Sequence, residues 1–312
     1  MTNTDLVLFV YDPMAPVGKP SVTVDLSGGP FAPGLTQEAD GSSEIEIWHE
    51  ISDFPGADLM RIVGSGGDDP IEVIEGLSEG TFGAWLDLDV GSGLDGEGDI
   101  GINFFERFEF DLGGGNDRVG LDGTGGFMPP MVLHGGPGDD VLPDGSHPDE
   151  IHGGRGRDML VGYWTLIIDL TQPTFIGGGG EQPFSGIEDV WALSFDNGID
   201  GDGRPNLLIG GPGTDFISGR GGGDELVGGE GDDVIDGQGG RDVVEGGPGP
   251  DRLSGGKGAD TLDGGGDADE LSGDSGNDSL FGGDGDDVLS GGLGIDMCDG
   301  GSGSNTSTGC EA

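Results

Sequence analysis

GGPGTDFIS (Gly210 to Ser218), GGEGDDVID (Gly228 to Asp236), GGPGPDRLS (Gly246 to Ser254), GGKGADTLD (Gly255 to Asp263) and GGDGDDVLS (Gly282 to Ser290) are copies of one nine-residue phrase, Gly-Gly-x-Gly-x-Asp-x-(Leu/Ile/Val)-x. It runs almost unbroken from Gly201 to Asp299. Each copy carries one apolar residue, and a unit so small can bury it only by stacking on its neighbours. The period therefore predicts a solenoid, read here as all-β: a right-handed parallel β-roll. The segment x-(Leu/Ile/Val)-x is a three-residue strand with its middle side chain inward. Glycines at places one, two and four allow positive φ in the turn. Two nine-residue units make one coil, so the eleven units from 201 to 299 give a roll about 25 Å long at the strand spacing of a sheet.

Residues one coil apart stack. Asp215, Asp233, Asp251, Asp269 and Asp287 then form one column, and Asp224, Asp242, Asp260, Asp278 and Asp296 the other. Carboxylates roughly 5 Å apart repel, and protonating them is costly near neutral pH, so an intercalated cation is favoured. A glycine-lined turn with one carboxylate suits a hard divalent ion. Eight such pairs lie in the long block, 215/233 through 278/296. Asp140 and Asp158 make a ninth, while Asn206 with Asp224 lacks one charge. Asp232, Asp286, Glu225 and Glu245 occupy variable places and read as solvated surface.

These repeats resemble those of the RTX, or hemolysin-type, calcium-binding proteins. The resemblance is strongest over 201–299, clear over 135–161 and faint before residue 112. It implies Ca2+ between successive turns, held by the place-six Asp of both. It also implies carbonyl ligands from places one to four, which map here to Gly211, Gly213, Gly228, Gly229, Gly231, Gly246, Gly247, Gly249, Gly255, Gly256, Gly258, Gly264, Gly265 and Gly282. Extracellular calcium modules bind with Kd on the order of 0.1–1 mM, and sites absent from the unfolded chain couple binding to folding.

Composition agrees. Gly is 74 of 312 residues, the formal net charge is −50, and 32% of residues are hydrophobic. At that charge and apolar content the bare chain is expected to stay expanded until the acid is neutralised. A glycine period of nine excludes collagen. The acid excess argues against nucleic acid and anionic membranes as partners. Leu6-Val7-Leu8-Phe9-Val10 is too short for a membrane span or leader, and no basic residue precedes it. The chain is read as secreted.

Cys298 and Cys310 are placed to form one disulfide over the end of the stack, worth about 3 kcal/mol by loop entropy. Two unpaired thiols, or metal ligation, are the alternatives. Such a bond belongs to oxidising, extracellular settings.

Four regions follow from the period. Residues 1–111 are β-inclined, with strands expected at Ser21–Leu26, Glu44–Trp48 and Phe104–Phe110. They read as an irregular β-helix, with a β-sandwich as the alternative. Gly64–Glu72 is one worn repeat and Leu112–Gly120 a better one. Residues 112–161 form a first block, ending in GGPGDDVLP, a degraded DGSHPDEIH and GGRGRDMLV. Residues 162–200 are a β insertion that breaks the period, with strands at Thr165–Leu170 and Gly186–Leu193. Residues 201–312 are the long roll, whose tail carries Asn305 and Ser307 in place of acid and apolar residue.

No catalytic constellation is evident. His49-Glu50 lacks the second histidine of a zinc-protease motif, and the Gly-Ser-Gly stretches lie in glycine turns. His134 and His152, in register, and His147 between them could offer zinc or nickel a site. Trp48, Trp85, Trp164 and Trp191 are read as core, or, if exposed, as a glycan platform. The expected function is that of a secreted calcium-binding module that folds on meeting extracellular calcium. The alternative is an adhesin or polysaccharide-active enzyme whose active part is the non-repeat N-terminal region or a further domain.

Overall fold

A computed structural model describes residues 21–25, 59–63, 70–78, 81–87, 100–101, 107–121 and 130–311, with side chains for 107–120 and 130–311. The strand expected at Glu44–Trp48, the His49-Glu50 pair and the side chains of Trp48 and Trp85 lie outside these. The described residues form strands, turns and bends, and no helix. They fall into two compact units: one within Met1–Met159 and Gly178–Ile187, the other Leu160–Gly177 with Glu188–Ala312.

In the second unit two parallel sheets run side by side with the chain alternating between them. One carries Leu207–Pro212, Glu225–Glu230, Val243–Pro248, Thr261–Gly266, Ser279–Asp284 and Met297–Asp299. The other carries Gly198–Asp200, Phe216–Ser218, Val234–Asp236, Arg252–Ser254, Glu270–Ser272, Val288–Ser290 and Thr306–Thr308. Pairing is parallel with a constant offset, as in Leu208↔Leu226 and Ile217↔Ile235. This is the parallel β-roll that the period predicts.

The core is two single files of place-eight side chains. Leu208, Leu226, Val244, Leu262 and Leu280 form one, and Ile199, Ile217, Ile235, Leu253, Leu271 and Leu289 the other, all at most 3% exposed. Each contributes about 1.5–3 kcal/mol of burial, the same in every coil, which is why one apolar residue per nine suffices. At the end the polar Ser307 pairs with Leu289, and Cys298 pairs with Leu280. Cys298 is bonded to Cys310, their Cα atoms 5.8 Å apart.

Two expectations need correction. Five strands of one sheet, from Leu207–Pro212 to Ser279–Asp284, are six residues long, not three, because the Gly-Gly pair joins the ladder there (Gly211↔Gly229, Gly247↔Gly265), while the last, Met297–Asp299, keeps three. Regular stacking also begins before Gly201: Gly198–Asp200 already pairs with Phe216–Ser218 at the offset of the roll. Of the insertion strands, Ile167–Asp169 and Asp189–Ala192 form as expected. Thr174–Gly177 pairs antiparallel to the first of these, a hairpin that the sequence reading did not anticipate.

In the first unit Ser21–Asp25, Leu59–Val63, Arg107–Asp111, Met131–Pro137, Glu150–Arg155 and Gly180–Ser185 pair in parallel at unequal offsets. These described strands thus share one parallel ladder whose connections differ in length. The described end of the worn repeat, Pro70 to Glu72, pairs with the better copy, Ile71 against Val119, both at place eight. Pro70–Ser78 also pairs antiparallel with Thr81–Asp87.

Tight stacking explains the glycines. Gly231 has φ +139°, and a Cβ added there would fall on the carbonyl of Gly213 in the preceding coil. Gly266 lies in ordinary backbone, with nothing within 4 Å of an added Cβ. Gly231→Ala should therefore cost about 1–3 kcal/mol, and Gly266→Ala should stay within about 0.5 kcal/mol. Denaturant unfolding in saturating calcium measures both.

Candidate metal centre

Place six ends the turn, and its backbone ties coil to coil. The amide of Val234 donates to the carbonyl of Asp215, and that of Arg252 to Asp233. The side chains add a second link. The Asp215 amide donates to Asp233 Oδ1, Asp233 to Asp251, and Asp251 to Asp269, each at 2.8 Å. Asp269 to Asp287 closes the series at 3.0 Å. The other edge repeats this through Asp224, Asp242, Asp260, Asp278 and Asp296 at 2.8–3.0 Å. Asp140 donates to Asp158 Oδ1 at 2.9 Å. Every expected pair is thus brought together, and all twelve carboxylates are at most 4% exposed.

The second oxygen is the telling one. In Asp140, Asp215, Asp224, Asp233, Asp242, Asp251, Asp260, Asp269, Asp278, Asp287 and Asp296, Oδ2 is buried and has no hydrogen-bond partner. Native proteins rarely leave such an atom unmatched without an ion or water to meet it. Each of these atoms faces the place-one glycine of its own unit. A Cβ built on Gly210 would lie 2.6 Å from Asp215 Oδ2 and 2.7 Å from the carbonyl oxygen of Gly228, one coil on. On the other edge a Cβ on Gly237 would lie 2.6 Å from Asp242 Oδ2 and 2.8 Å from the Gly255 carbonyl. The carbonyls of Gly246, Gly264 and Gly282 stand the same way toward Gly228, Gly246 and Gly264.

Carbonyls at places two and four enter the gap from the other side. That of Gly211 points at Gly229, that of Gly229 at Gly247 and that of Gly247 at Gly265. Gly213 and Gly231 do the same toward Gly231 and Gly249. Place three is partly committed, since the amide of Gly213 donates to the carbonyl of Glu230. Among the described residues no three Asp, Glu, His or Cys side chains converge on one point. Each gap is therefore lined by carboxylate and main-chain carbonyl oxygens, a donor set suited to a hard cation.

Burial is the main force on the carboxyls. It raises Asp251 to about 7, a rise that the Asp233 amide partly offsets and the carboxylates of Asp233 and Asp269 reinforce. Burial likewise raises Asp233, Asp242, Asp260 and Asp269 to about 6.

The fold and these oxygen-lined gaps define the class, a parallel β-solenoid with cation sites between its coils. Residues 132–160, and overlapping segments that together run from 200 to 307, match the RTX calcium-binding nonapeptide repeat. Over these residues the chain is built of RTX calcium-binding repeats and forms a calcium-binding repeat module. No curated protein matches the chain.

Further place-six positions escaped the sequence reading. Asp117 is 1% exposed, and its amide donates to Asp140 Oδ1 at 2.8 Å, so the repeat at 112–120 joins the stack. Its place in LGGGNDRVG was the available signal. Asp149 holds place six of the degraded unit and accepts the Met131 amide at 2.6 Å. Here place one is Asp144, not Gly. Asp149 Oδ2 takes the Gly145 amide, and the Asp144 oxygens take Gln182 Nε2 and the Gly178 amide. All four oxygens are hydrogen-bonded, unlike those of the roll.

The other candidates separate. His134 and His152 stack with ring centroids 5.0 Å apart and an interplanar angle of 11°. His152 is engaged at both nitrogens, with Ser185 Oγ at 2.7 Å and Glu150 Oε1 at 3.0 Å. His147 contacts Ser146 Oγ at 3.1 Å, so the zinc or nickel arrangement is not formed. Trp164 and Trp191 are 41% and 37% exposed, not core, since strand alternation turns Val190 and Ala192 inward and Trp191 out. Asp232, Asp286, Glu225 and Glu245 are exposed.

On one edge place two accepts other residues despite positive φ: Arg220, Gln238 and Asp274. Each reaches back to place nine of the coil before. Arg220 holds Asp200 at 3.1 Å and Asp169 at 2.8 Å, Gln238 bonds Ser218 at 2.7 Å, and Asp274 accepts from Ser254 at 2.6 Å.

Asp251 lines the gap on either side of its coil, whereas Asp296 ends its column. Asp251→Ala should therefore lower the number of bound calcium ions more than Asp296→Ala, as counted by calorimetric titration. Equal losses would contradict the shared-gap geometry. The raised carboxyls also set a pH dependence. A carboxyl raised from 3.8 to about 6–7 favours the metal-free fold below the lower value, and that favour is lost as pH rises through the higher one. Protons thus compete with calcium, and apparent affinity should fall steeply between about pH 7 and pH 5. Titrations at both ends of that range measure it; a flat response would contradict proton competition.

Proposed function

We propose that this chain is a secreted module whose roll assembles when it meets extracellular calcium, a folding, export or surface-display element rather than an enzyme. One observation carries this reading: the column of buried, unpartnered Oδ2 atoms, set in rung after rung (Asp215, Asp233, Asp242, Asp251, Asp269) against a carbonyl of the next coil. Without a cation, every added coil buries another uncompensated carboxylate oxygen, and the formal net charge of −50 opposes compaction throughout. A bound divalent ion supplies positive charge to both coils at once and so converts repulsion into cross-linking. The protein's own residues do the rest. The place-six Oδ1 fixes the spacing by its bond to the preceding amide, and the place-eight side chains close the core.

Binding and ordering should then be one event, with cooperativity arising because interior carboxylates line two gaps. The repeats and the Cys298–Cys310 disulfide both suit an oxidising exterior where calcium is plentiful. The decisive measurement is far-UV circular dichroism across a calcium titration of the full chain, with magnesium in parallel. A coil-like spectrum in chelator that turns to β over a narrow calcium range supports the reading. A fully ordered chain in chelator, or an equal response to magnesium, would overturn it.

A further inference from the structure

One rung of the stack breaks the rule in two coordinated ways. Strand register places Val190 against Leu208 and Trp191 against Ile209, which sets Ala192 at place one and Asn197 at place six of the coil before Gly210. Both are buried, at 0% and 2% exposure. Asn197 keeps the coil-to-coil link, its amide donating to Asp215 Oδ1 at 2.6 Å. Its side chain then does what no aspartate could. Nδ2 donates to the carbonyl of Gly210 at 3.0 Å, to that of Ser194 at 2.9 Å and to Asp215 Oδ1 at 2.9 Å.

The Gly210 carbonyl is the place-one oxygen that faces a bare carboxylate oxygen at every Asp rung. Here it meets an N–H. The orientation of the amide is fixed from its other end, because Asn197 Oδ1 accepts the Leu166 amide at 2.8 Å. A flipped side chain would face three acceptors with an oxygen and one donor with an NH2. At place one, Ala192 adds a methyl. In the next coil of this edge that position is bare, and a Cβ there would crowd Asp215 Oδ2 and the Gly228 carbonyl.

Asn206, on the opposite edge, shows that asparagine alone does not have this effect. Its Oδ1 lies toward Gly201, where a Cβ would be 2.6 Å from it and 2.8 Å from the Gly219 carbonyl. Its Nδ2 turns away to the Glu188 carbonyl at 2.6 Å. That rung keeps an oxygen on this side, although the Asp202 amide already donates to it at 3.0 Å.

We propose that Asn197 and Ala192 form a built-in substitute for calcium, so that the first rung of this edge is closed by a side-chain amide and the metal sites begin at Asp215. This rests on the calcium reading above and adds to it the boundary of the loaded column. The rung offers the partial positive charge of the Nδ2 N–H groups where the other rungs hold a bare oxygen, and the Ala192 methyl takes up the place-one space. It docks the coil at any calcium concentration and gives the loaded rungs a preformed neighbour.

The test is the number of calcium ions bound by the full chain, read by native mass spectrometry and by calorimetric titration. Ala192→Gly combined with Asn197→Asp restores the place-one glycine and the place-six carboxylate of the other rungs and should bind one more ion than the unaltered protein. An unchanged count in a doubly substituted protein with the parent circular dichroism spectrum would overturn the proposal. Asn197→Ala provides a second arm that does not need a new site to form. In saturating calcium it should leave the ion count unchanged and lower the thermal midpoint by a few degrees, because Gly210, Ser194 and Asp215 lose their shared donor. An unaltered midpoint, or an extra bound ion, would overturn the proposal. An unaltered protein that binds no calcium at all would overturn the reading beneath it, and the parent titration alone reports that result.

Discussion

Each place-six aspartate is asked to do two things with two oxygens. Oδ1 takes the amide of the coil before it and sets the spacing of the stack, as in Asp215 to Asp233 at 2.8 Å. Oδ2 is thereby held, buried, against a neighbouring carbonyl. Neither arrangement can be relaxed without losing the other. The carboxylate that builds the coil spacing also creates the electrostatic debt, which is why architecture and metal chemistry are encoded by the same residue. Glycine follows from the same constraint. At place one a side chain would fill the gap between the oxygens, and at Gly229 or Gly231 it would strike the carbonyl of the coil beneath, whereas place two of the other edge admits Arg220, Gln238 and Asp274.

Departures from the nonapeptide show what this constraint tolerates. The rung of Asp149 swaps place-one glycine for Asp144 and the next place-six acid for Gln182, and in return every carboxylate oxygen acquires a hydrogen bond. The rung of Asn197 swaps the acid for an amide and the glycine for alanine. Both rungs exchange an unmatched oxygen for an internal donor. Such positions read as decay of the repeat, yet their contacts are complete. Irregular rungs at the borders of regular blocks are therefore joints with their own chemistry.

Much of this was legible in the sequence because the period is strict. A register of nine with one apolar residue and one acid fixes which residues stack, and all eight aspartate pairs of the long block follow from counting. Counting failed where the signal left the motif. Gly198–Asp200 belongs to the roll, but AlaLeuSerPheAspAsn at 192–197 has neither glycine pair nor acid at place six, so the true start was hidden. Asp117 and Asp149 were overlooked for the opposite reason, since they hold the right place in units whose glycines or spacing had drifted. Strand length depends on whether a Gly-Gly pair joins the ladder, and that is decided by coil shape, not by composition. The orientation of an asparagine amide, with Nδ2 inward at 197 and outward at 206, depends on the Leu166 and Glu188 backbone far off in the chain.

The carboxylate-to-amide link also has a direction. In the regular roll, from Asp215 to Asp233 and on to Asp278 and Asp296, each place-six amide is met by a side chain eighteen residues later, and the outlying rungs of Asp117 and Asp149 also bond forward, to Asp140 and Gln182. A chain that emerges amino end first therefore leaves its newest rung unsealed until two further units have appeared. One that emerges carboxyl end first presents each arriving amide with an acceptor already waiting. The two directions of threading are thus not equivalent for this molecule. The polarity of the ladder is set by the chain's own hydrogen bonds.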